Sequence, residues 1–241
     1  MRKLIAGNWK MNMNADMADA FDMEMSVTSN IDHVDWLICA PYPYIANINN
    51  CHRGAQDCSD QESGAYTGEI SASMVADMSC DYCIVGHSER RAIFGETNEL
   101  VKAKATQVID NNMTAIICVG ETLDEREAGN AFAVVEKLIK ESLPDNANAK
   151  NTVIAYEPVW AIGTGKAATK DDVIEMHDAI RDLLKSSLAD GENIRILYGG
   201  SVKPSNAGEL LSLENVNGAL IGGASLKSED FIGIGKAVES N

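Results

Sequence analysis

A chain of 241 residues, of which 45% are hydrophobic and 23% are charged, is long enough to bury a sizeable core, as one large domain or two small ones. Its formal net charge of −16 argues against nucleic acids and anionic membranes as partners, because an acidic surface repels both. The same charge permits a small anionic ligand, provided that the site of that ligand is locally positive.

The first residues of the chain and the context of its cysteines indicate an intracellular protein. Residues 1–12 hold too few apolar side chains for the core of a signal peptide, and no window approaches the roughly 18 apolar residues of a membrane-spanning helix. Without an export signal, the six cysteines are expected to be buried free thiols. Cys80 and Cys83 have C-x-x-C spacing, but no second pair or histidine at zinc spacing follows, so we interpret them as packing residues. We expect a soluble, cytoplasmic protein.

Short apolar runs rich in β-branched residues recur along the chain and predict strands. Most of them are continuous rather than alternating, which is typical of strands buried on both faces. In chain order the predicted strands are residues 3–9, 35–40, 53–56, 81–86, 114–120, 152–157, 194–200 and 217–223.

Segments with helical periodicity lie between these runs. Residues 131–143 and 170–188 both place their apolar side chains on one helix face. Ser71, Thr97 and Thr169 are predicted N-caps. A strand followed by a helix therefore recurs about every 30 residues, and eight such units account for the whole chain.

This repeat predicts an α/β fold, a (β/α)8 barrel formed by residues 1–241 as a single domain. Parallel strands require helical crossovers, and eight of them close into a barrel of about 250 residues. A six-stranded doubly wound sheet is the alternative, but no G-x-G-x-x-G follows the first strand.

Titratable residues follow several predicted strands, where the active sites of such barrels lie. Lys10 follows the first strand, His87 the fourth and Glu157 the sixth. Taken singly, Lys10 is more often a solvated lysine and His87 more often a hydrogen-bonded core residue. Together they would lie at the same end of the barrel, called the mouth below, because all three follow strands. There Lys10 supplies the positive charge that an anion needs. If a helix begins after His87, its backbone N–H groups disfavour an imidazolium, so we expect a neutral ring.

Two glycine turns follow the seventh and eighth predicted strands, at residues 198–201 and 220–225. One such turn alone would be ordinary turn chemistry. Phosphate sites of this fold lie at these two loops, where backbone N–H groups approach the ligand and Ser201 offers a hydroxyl group. The sequence therefore predicts proton transfer on a small phosphorylated carbonyl compound, and no nucleophile, metal cluster or redox-cofactor motif is evident.

The stretch "AYEPVWAIGTGKAAT", residues 155–169, combines Glu157 with a hinged loop. Pro158 fixes its own φ angle and gives the loop a stiff start, whereas Gly163 and Gly165 give it a mobile tip. We interpret residues 158–168 as a lid that closes over the site and excludes water from the base.

Six motifs are spread over essentially the whole chain: "GNWKMN" (7–12), "GHSERR" (86–91), "CVGET" (118–122), "AYEPVWAIGTG" (155–165), "YGGSVKP" (198–204) and "GGASL" (222–226). In these motifs, and in their order and spacing, the sequence resembles the triosephosphate isomerases. The resemblance implies a TIM barrel that interconverts dihydroxyacetone phosphate and glyceraldehyde 3-phosphate through an enediol(ate), in glycolysis and gluconeogenesis, without cofactor or metal.

Roles for individual residues follow from this resemblance. By similarity, Glu157 is the base that moves a proton between two carbons, and His87 is the electrophile that moves protons among the oxygens. Lys10 and Asn8 bind and polarise the substrate, and Glu89 supports the lysine.

The same resemblance assigns the phosphate site. Gly163, Ser201, Gly222 and Gly223 would hold the phosphate group. Cys118, at the end of the fifth strand, matches a cysteine near the site that serves packing and stability and is no nucleophile.

The resemblance also implies a homodimer, formed through the loop at residues 57–71. Thr67 would approach the active site of the neighbouring subunit, and Met11 would be enclosed by the neighbour's loop. The chain departs from the family in three ways: it is slightly short, Met13 stands where glycine is common, and Asp57 stands where asparagine is usual. The last two lie in or beside the presumed interface loops and bear on the dimer.

Two other functions remain open from the residues alone. A different phosphate-binding barrel isomerase shares the two glycine turns but does not require Lys10, His87 and Glu157 together. A non-catalytic scaffold barrel would tolerate the loss of these residues.

Overall fold

The computed structural model describes residues 1–31, 33–161 and 168–238, in which eight parallel strands close into a barrel. Each strand pairs with the next along the chain, and the last pairs with the first. The closed order confirms the predicted barrel and excludes the doubly wound sheet. The strands are β1 Lys3–Asn8, β2 Val34–Cys39, β3 His52–Ala55, β4 Tyr82–Val85, β5 Thr114–Val119, β6 Thr152–Tyr156, β7 Arg195–Tyr198 and β8 Gly218–Ile221.

Helices surround the barrel. The predicted N-caps Ser71, Thr97 and Thr169 are confirmed, since each side chain accepts a hydrogen bond from a backbone N–H of its helix. In the described residues, none of the helices is both long and apolar enough to span a membrane. The helices are α1 Ala15–Met25, α2 Ala72–Asp77, α3 Ser88–Phe94, α4 Asn98–Asp110, α5 Leu123–Glu127, α6 Ala131–Ser142, α7 Lys170–Ser187, α8 Pro204–Leu211 and α9 Ser228–Lys236.

The expectation of a regular helix after every strand is wrong for the second unit. Between β2 and β3 the chain forms a 3-10 helix, Tyr42–Asn47. Pro43 lies near the start of this segment and has no backbone N–H, and Pro41 precedes it. Both prolines favour a short, tight turn over a longer α-helix.

Two layers of apolar side chains explain why the strand runs are continuous. Alternate strand residues such as Leu4, Leu37 and Ile116 fill the barrel interior. The intervening residues, such as Ile5 and Ile117, pack outward against the helices. Because both faces are buried, no polar alternation is needed in the sequence.

All six cysteines are free thiols. Five are buried, and Cys51 is partly buried. Cys80 and Cys83 both lie in the apolar layer between the strands and the helices, which agrees with their interpretation as packing residues.

A buried ion cluster joins the start of the 57–71 loop to α3 and α4. Lys104 Nζ lies 2.8 Å from Asp57 Oδ1 and 2.5 Å from Glu96 Oε1. Arg90 Nε lies 2.9 Å from Asp57 and 2.6 Å from Glu96. Two cations therefore face two carboxylates, and this gives a structural reason for an aspartate at position 57.

The pKa values of the two carboxylates in this cluster are shifted in opposite directions. Burial raises the pKa of Asp57, although Lys104 and Arg90 act in the opposite direction. Burial would also raise the pKa of Glu96, but hydrogen bonds from Lys104 and Arg90 outweigh it and the pKa is lowered. Glu96 is the more firmly ionised partner.

The other departure in this region, Met13, has a positive φ of 75°. Glycine reaches this conformation without the steric cost that a Cβ atom imposes. The loop after β1 therefore has a left-handed turn at Met13, although a side chain disfavours that conformation.

Candidate active site

The carboxyl ends of the strands surround a pocket of about 710 Å³. Each predicted site residue that the structure describes lines this pocket, except Glu89, which lies beside it in contact with Lys10. Gly163 and the predicted lid tip fall outside the described residues. The predicted residues that line the pocket are Asn8, Lys10, His87, Glu157, Ser201, Gly222 and Gly223.

Glu157 directly follows β6, and only 2% of its surface is exposed. Its Oε2 atom accepts a hydrogen bond from the Ser88 backbone N–H at 2.9 Å, and its Oε1 atom lies 2.9 Å from His87 Nε2. Neighbouring glycines make room for it: a Cβ atom on Gly199 would lie 2.8 Å from Glu157 Cγ, and one on Gly120 would lie 1.7 Å from its carbonyl oxygen.

Electrostatics keep the Glu157 carboxylate ionised. Burial alone would raise its pKa, but the charge and hydrogen bond of His87, the Ser88 N–H and the Lys10 charge outweigh burial, so the pKa lies below its ordinary value. A buried carboxylate that remains charged at neutral pH is suited to accept a proton.

His87 caps the start of α3. Its Nδ1 atom accepts a hydrogen bond from the Glu89 backbone N–H at 3.2 Å, which leaves the ring proton on Nε2, facing Glu157. This geometry fits a neutral ring that donates through Nε2.

The pKa of His87 runs against the expectation of a disfavoured imidazolium. Burial would lower it, but the charge and hydrogen bond of Glu157 outweigh burial and raise the pKa. The cause is the 2.9 Å contact with Glu157, which the sequence did not reveal. If the carboxylate moves away from the ring, the main cause that raises the pKa is removed.

Lys10 occupies a strained backbone position at the mouth, with a φ of 52°. Its conformation is secured by two contacts: Asn8 Oδ1 accepts its N–H at 3.0 Å, and Gln56 Nε2 donates to its carbonyl at 2.9 Å. Its ammonium group lies 2.6 Å from Glu89 Oε1. The ion pair holds the cation at the pocket without contacting Glu157.

The two glycine turns form the opposite wall of the pocket. Space around Gly223 is open, and a Cβ atom on Gly222 would lie 3.4 Å from Lys10 Cε. Ser225 ties the second turn together, because its N–H and hydroxyl both donate to the Gly222 carbonyl, at 2.8 and 2.7 Å. Exposed backbone and the Ser201 hydroxyl suit this wall to bind an anion.

The start of the predicted lid is anchored by Glu121, a buried residue that follows β5. Its Oε1 atom accepts hydrogen bonds from Trp160 Nε1 at 2.8 Å and from the Tyr156 hydroxyl at 3.1 Å. Arg126 lies 4.9 Å from the centre of the Trp160 ring and donates to the same carboxylate oxygen. Tyr156 and Trp160 lie on either side of Glu157 in the chain, so Glu121 links the base to its lid.

Sequence reasoning missed several residues of this site. Glu121 has a signal, since it is an acid just after a predicted strand. Gly120 and Gly199 have none, because only the packing reveals that a Cβ atom would displace Glu157. Lys203 and Lys227 also line the pocket, and they have a signal too, since each follows one of the two glycine turns predicted at the site.

Within the described residues, no group of three or more histidine, cysteine, aspartate or glutamate side chains is arranged to hold a metal ion. The pocket's polar groups are instead suited to a small anionic organic ligand.

Comparison with known proteins shows the family of the chain. The family model for triosephosphate isomerase matches residues 3–238. A triosephosphate isomerase of Rhizobium etli is 49% identical, with 100% of this chain and 97% of that protein covered. One of Rhizobium meliloti is 51% identical, with 99% and 97% covered. The crystal structure of triosephosphate isomerase from Bartonella henselae has a TM-score of 0.91 and 43% identity, and covers 98% of this chain and 99% of that chain. The chain therefore belongs to the triosephosphate isomerase family.

Proposed function

We propose that this protein interconverts dihydroxyacetone phosphate and D-glyceraldehyde 3-phosphate by proton transfer through an enediol(ate), as a step of glycolysis and gluconeogenesis. The observation that carries the proposal is the pocket itself, in which a buried ionised carboxylate, an imidazole and an ammonium group face a glycine-lined wall. Membership of the family supports the same reaction.

Glu157 is the base in this proposal. It takes a proton from C1 of dihydroxyacetone phosphate and returns it to C2, so that one C–H bond breaks and another forms while no electrons leave the substrate. Its lowered pKa keeps it ionised before the reaction, and its release from the Ser88 N–H frees the carboxylate to reach the substrate.

His87 and Lys10 stabilise the charge that develops on the oxygens. The Nε2 proton of His87 serves the two oxygens in turn, so that the hydroxyl proton moves from O1 to O2. The Lys10 ammonium group, with Asn8 beside it and Glu89 as its ion-pair partner, polarises the carbonyl group. These groups accomplish the reaction without a cofactor or a metal ion.

The phosphate group lies against the backbone of Gly222 and Gly223 and the hydroxyl group of Ser201. Gly163, which belongs to the lid, completes this site when the lid closes. Closure excludes water, which strengthens the interactions of the base and protects the intermediate from loss of phosphate.

The proposed assembly is a homodimer formed through the loop at residues 57–71. Large exposed apolar side chains support it: Tyr66 of this loop is 47% exposed, Met74 of the following α2 is 55% exposed, and Met11 of the loop after β1 is 97% exposed. Exposed apolar groups of this size favour an interface. We place the dimer in the cytoplasm, and we propose neither nucleic acid nor membrane as a partner.

A coupled assay tests the reaction. D-Glyceraldehyde 3-phosphate is supplied to the purified protein, and a glycerol-phosphate dehydrogenase reports the dihydroxyacetone phosphate formed. We expect turnover that is lost in the matched variant Glu157→Gln. Absence of turnover by protein that is folded by circular dichroism would contradict the proposal and would favour a scaffold role or a different phosphorylated substrate.

A further inference from the structure

The charge of the chain creates a problem for the proposed substrate. A triose phosphate is close to a dianion at neutral pH, whereas the protein carries a net charge of −16. The field of the whole protein therefore repels the substrate at long range. A local source of positive potential is needed at the mouth of the pocket.

Lys10 alone does not meet this need. Its ammonium group is paired with Glu89 at 2.6 Å, so much of its field is cancelled outside the pocket. Glu157 adds a further negative charge within the pocket. With a neutral His87, the inner site thus carries one more negative than positive charge and does not attract an anion from outside.

Lys203 and Lys227 lie at the outer rim of the same pocket, and both are exposed. Lys203 immediately precedes α8 and Lys227 immediately precedes α9, so both stand where a helix begins at the mouth. Each helix start adds the partial positive charge of its free N–H groups. The two lysines thus reinforce a potential of the same sign.

Neither lysine is neutralised by an ion pair in the part of the chain that the structure describes. The lysines with a carboxylate within 4.0 Å there are Lys10, Lys102, Lys104, Lys140 and Lys170. Asp230 is the acidic residue at the rim, so two lysine charges there outnumber one carboxylate charge. The rim is therefore locally positive on an acidic protein.

We propose that Lys203 and Lys227 form an electrostatic entrance that captures the dianionic substrate and selects it over uncharged sugars. The inference rests on the proposed function. The two lysines do not contact Glu157 or His87 among the described contacts, so they determine specificity through capture and take no part in the proton transfer.

The test compares a double variant with a charge-matched control. Lys203→Gln with Lys227→Gln removes both rim charges. Lys185→Gln with Lys236→Gln also removes two exposed lysines, but these lie in the last turns of α7 and α9, at the opposite end of the barrel helices. Along α9 alone, nine residues separate the two ends by about 13 Å.

The quantity measured is kcat/KM for D-glyceraldehyde 3-phosphate at about 10 mM and about 500 mM ionic strength, where the Debye lengths are about 30 Å and about 4 Å. At low ionic strength we expect the rim variant to lose about threefold to tenfold in kcat/KM, with kcat unchanged. The ratio of wild type to variant falls to within about twofold at high ionic strength, because salt screens the lost attraction.

Further readouts separate capture from a structural role. Unphosphorylated D-glyceraldehyde carries no charge, so its kcat/KM is expected to be the same in wild type and rim variant. Replacing both lysines with arginine is expected to retain the wild-type value. Loss of a lysine at a helix start does not weaken the helix, so the thermal midpoint is not expected to fall.

Two results would overturn the inference: a rim variant whose deficit does not depend on salt, or a control variant with an equal deficit. The second result would show that net charge matters and position does not. Either result can occur in an enzyme that is fully active on triose phosphate, whereas failure of the proposed function would appear as no turnover in the wild type.

Discussion

The position of Glu157 depends on neighbouring glycines, which have no side chain, as much as on its hydrogen-bond partners. A Cβ atom at position 199 would lie 2.8 Å from Glu157 Cγ, which is closer than real Cβ contacts allow. We predict that Gly199→Ala displaces the carboxylate and lowers kcat by about tenfold or more, because proton transfer depends on sub-ångström placement.

A matched variant makes this prediction specific. In α8, a Cβ atom on Gly208 would have its nearest neighbour at 3.6 Å, so Gly208→Ala is expected to leave kcat unchanged. Equal kcat values for Gly199→Ala and wild type would show that the carboxylate tolerates the added methyl group, and would contradict the steric account.

His177 gives the protein a pH dependence that is separate from catalysis. Its ring is 1% exposed between Tyr156 and Tyr198, and burial lowers its pKa from 6.5 to about 4. A histidine with a depressed pKa contributes stability that is fully present above its unfolded pKa and is lost as the pH falls toward its folded pKa. Its contribution therefore fades between pH 6.5 and about 4.

We predict that the titration of His177 alone lowers the free energy of unfolding by about 3 kcal/mol as the pH falls across that interval. Urea unfolding at several pH values measures it, with His177→Gln as the variant that lacks the titrating group. The difference between wild type and variant is expected to move by that amount between pH 6.5 and pH 4. A difference that stays constant over the interval would contradict the assignment.

At the scale of elements, the ion cluster fastens the start of the 57–71 loop to α4 through Lys104 and to α3 through Arg90, and α3 has His87 at its start. Removing Lys104 leaves Arg90 as the one cation beside two carboxylates, so one buried negative charge loses its compensation. We predict that Lys104→Met lowers the free energy of unfolding by about 3–5 kcal/mol.

A second substitution tests whether charge is the cause. Adding Asp57→Asn to Lys104→Met removes the carboxylate whose pKa burial already raises, so part of the lost stability is expected to return. If the two substitutions are simply additive in urea unfolding, the two residues are not coupled and the cluster does not act as a unit.

The elements were the most predictable part of the molecule. All eight predicted strands overlap strands of the barrel, because continuous apolar runs of that length suit strands buried on both faces. The segment at Tyr42–Asn47 was missed, although Pro43 carried a signal against an α-helix. Positions at strand ends identified Lys10, His87 and Glu157, whereas the contact that raises the pKa of His87 depends on a side-chain placement that no local pattern encodes.

For the whole molecule, the net charge bears on assembly as well as on substrate capture. Two protomers that each carry −16 repel one another, and salt screens this repulsion. We predict a dimer whose dissociation constant falls as ionic strength rises. Sedimentation equilibrium at low micromolar concentration, at about 20 mM and about 300 mM salt, measures it. A pure monomer at both salt concentrations would contradict the proposed interface.

That residues 1–241 form a single domain also stays a prediction at this scale. In the closed order of the strands, β8 pairs with β1, so the first and the last strand of the chain depend on each other.

Glu157 is the group on which the proposed reaction depends most, as the base that moves the proton, and Glu157→Asp tests this role most directly. Shortening the side chain by one methylene keeps the carboxylate but withdraws it from the reacting carbon. Steady-state kinetics with D-glyceraldehyde 3-phosphate is predicted to give a kcat about 10²-fold to 10³-fold below wild type, with KM changed far less and the thermal midpoint retained. A variant with the wild-type kcat would contradict the central claim.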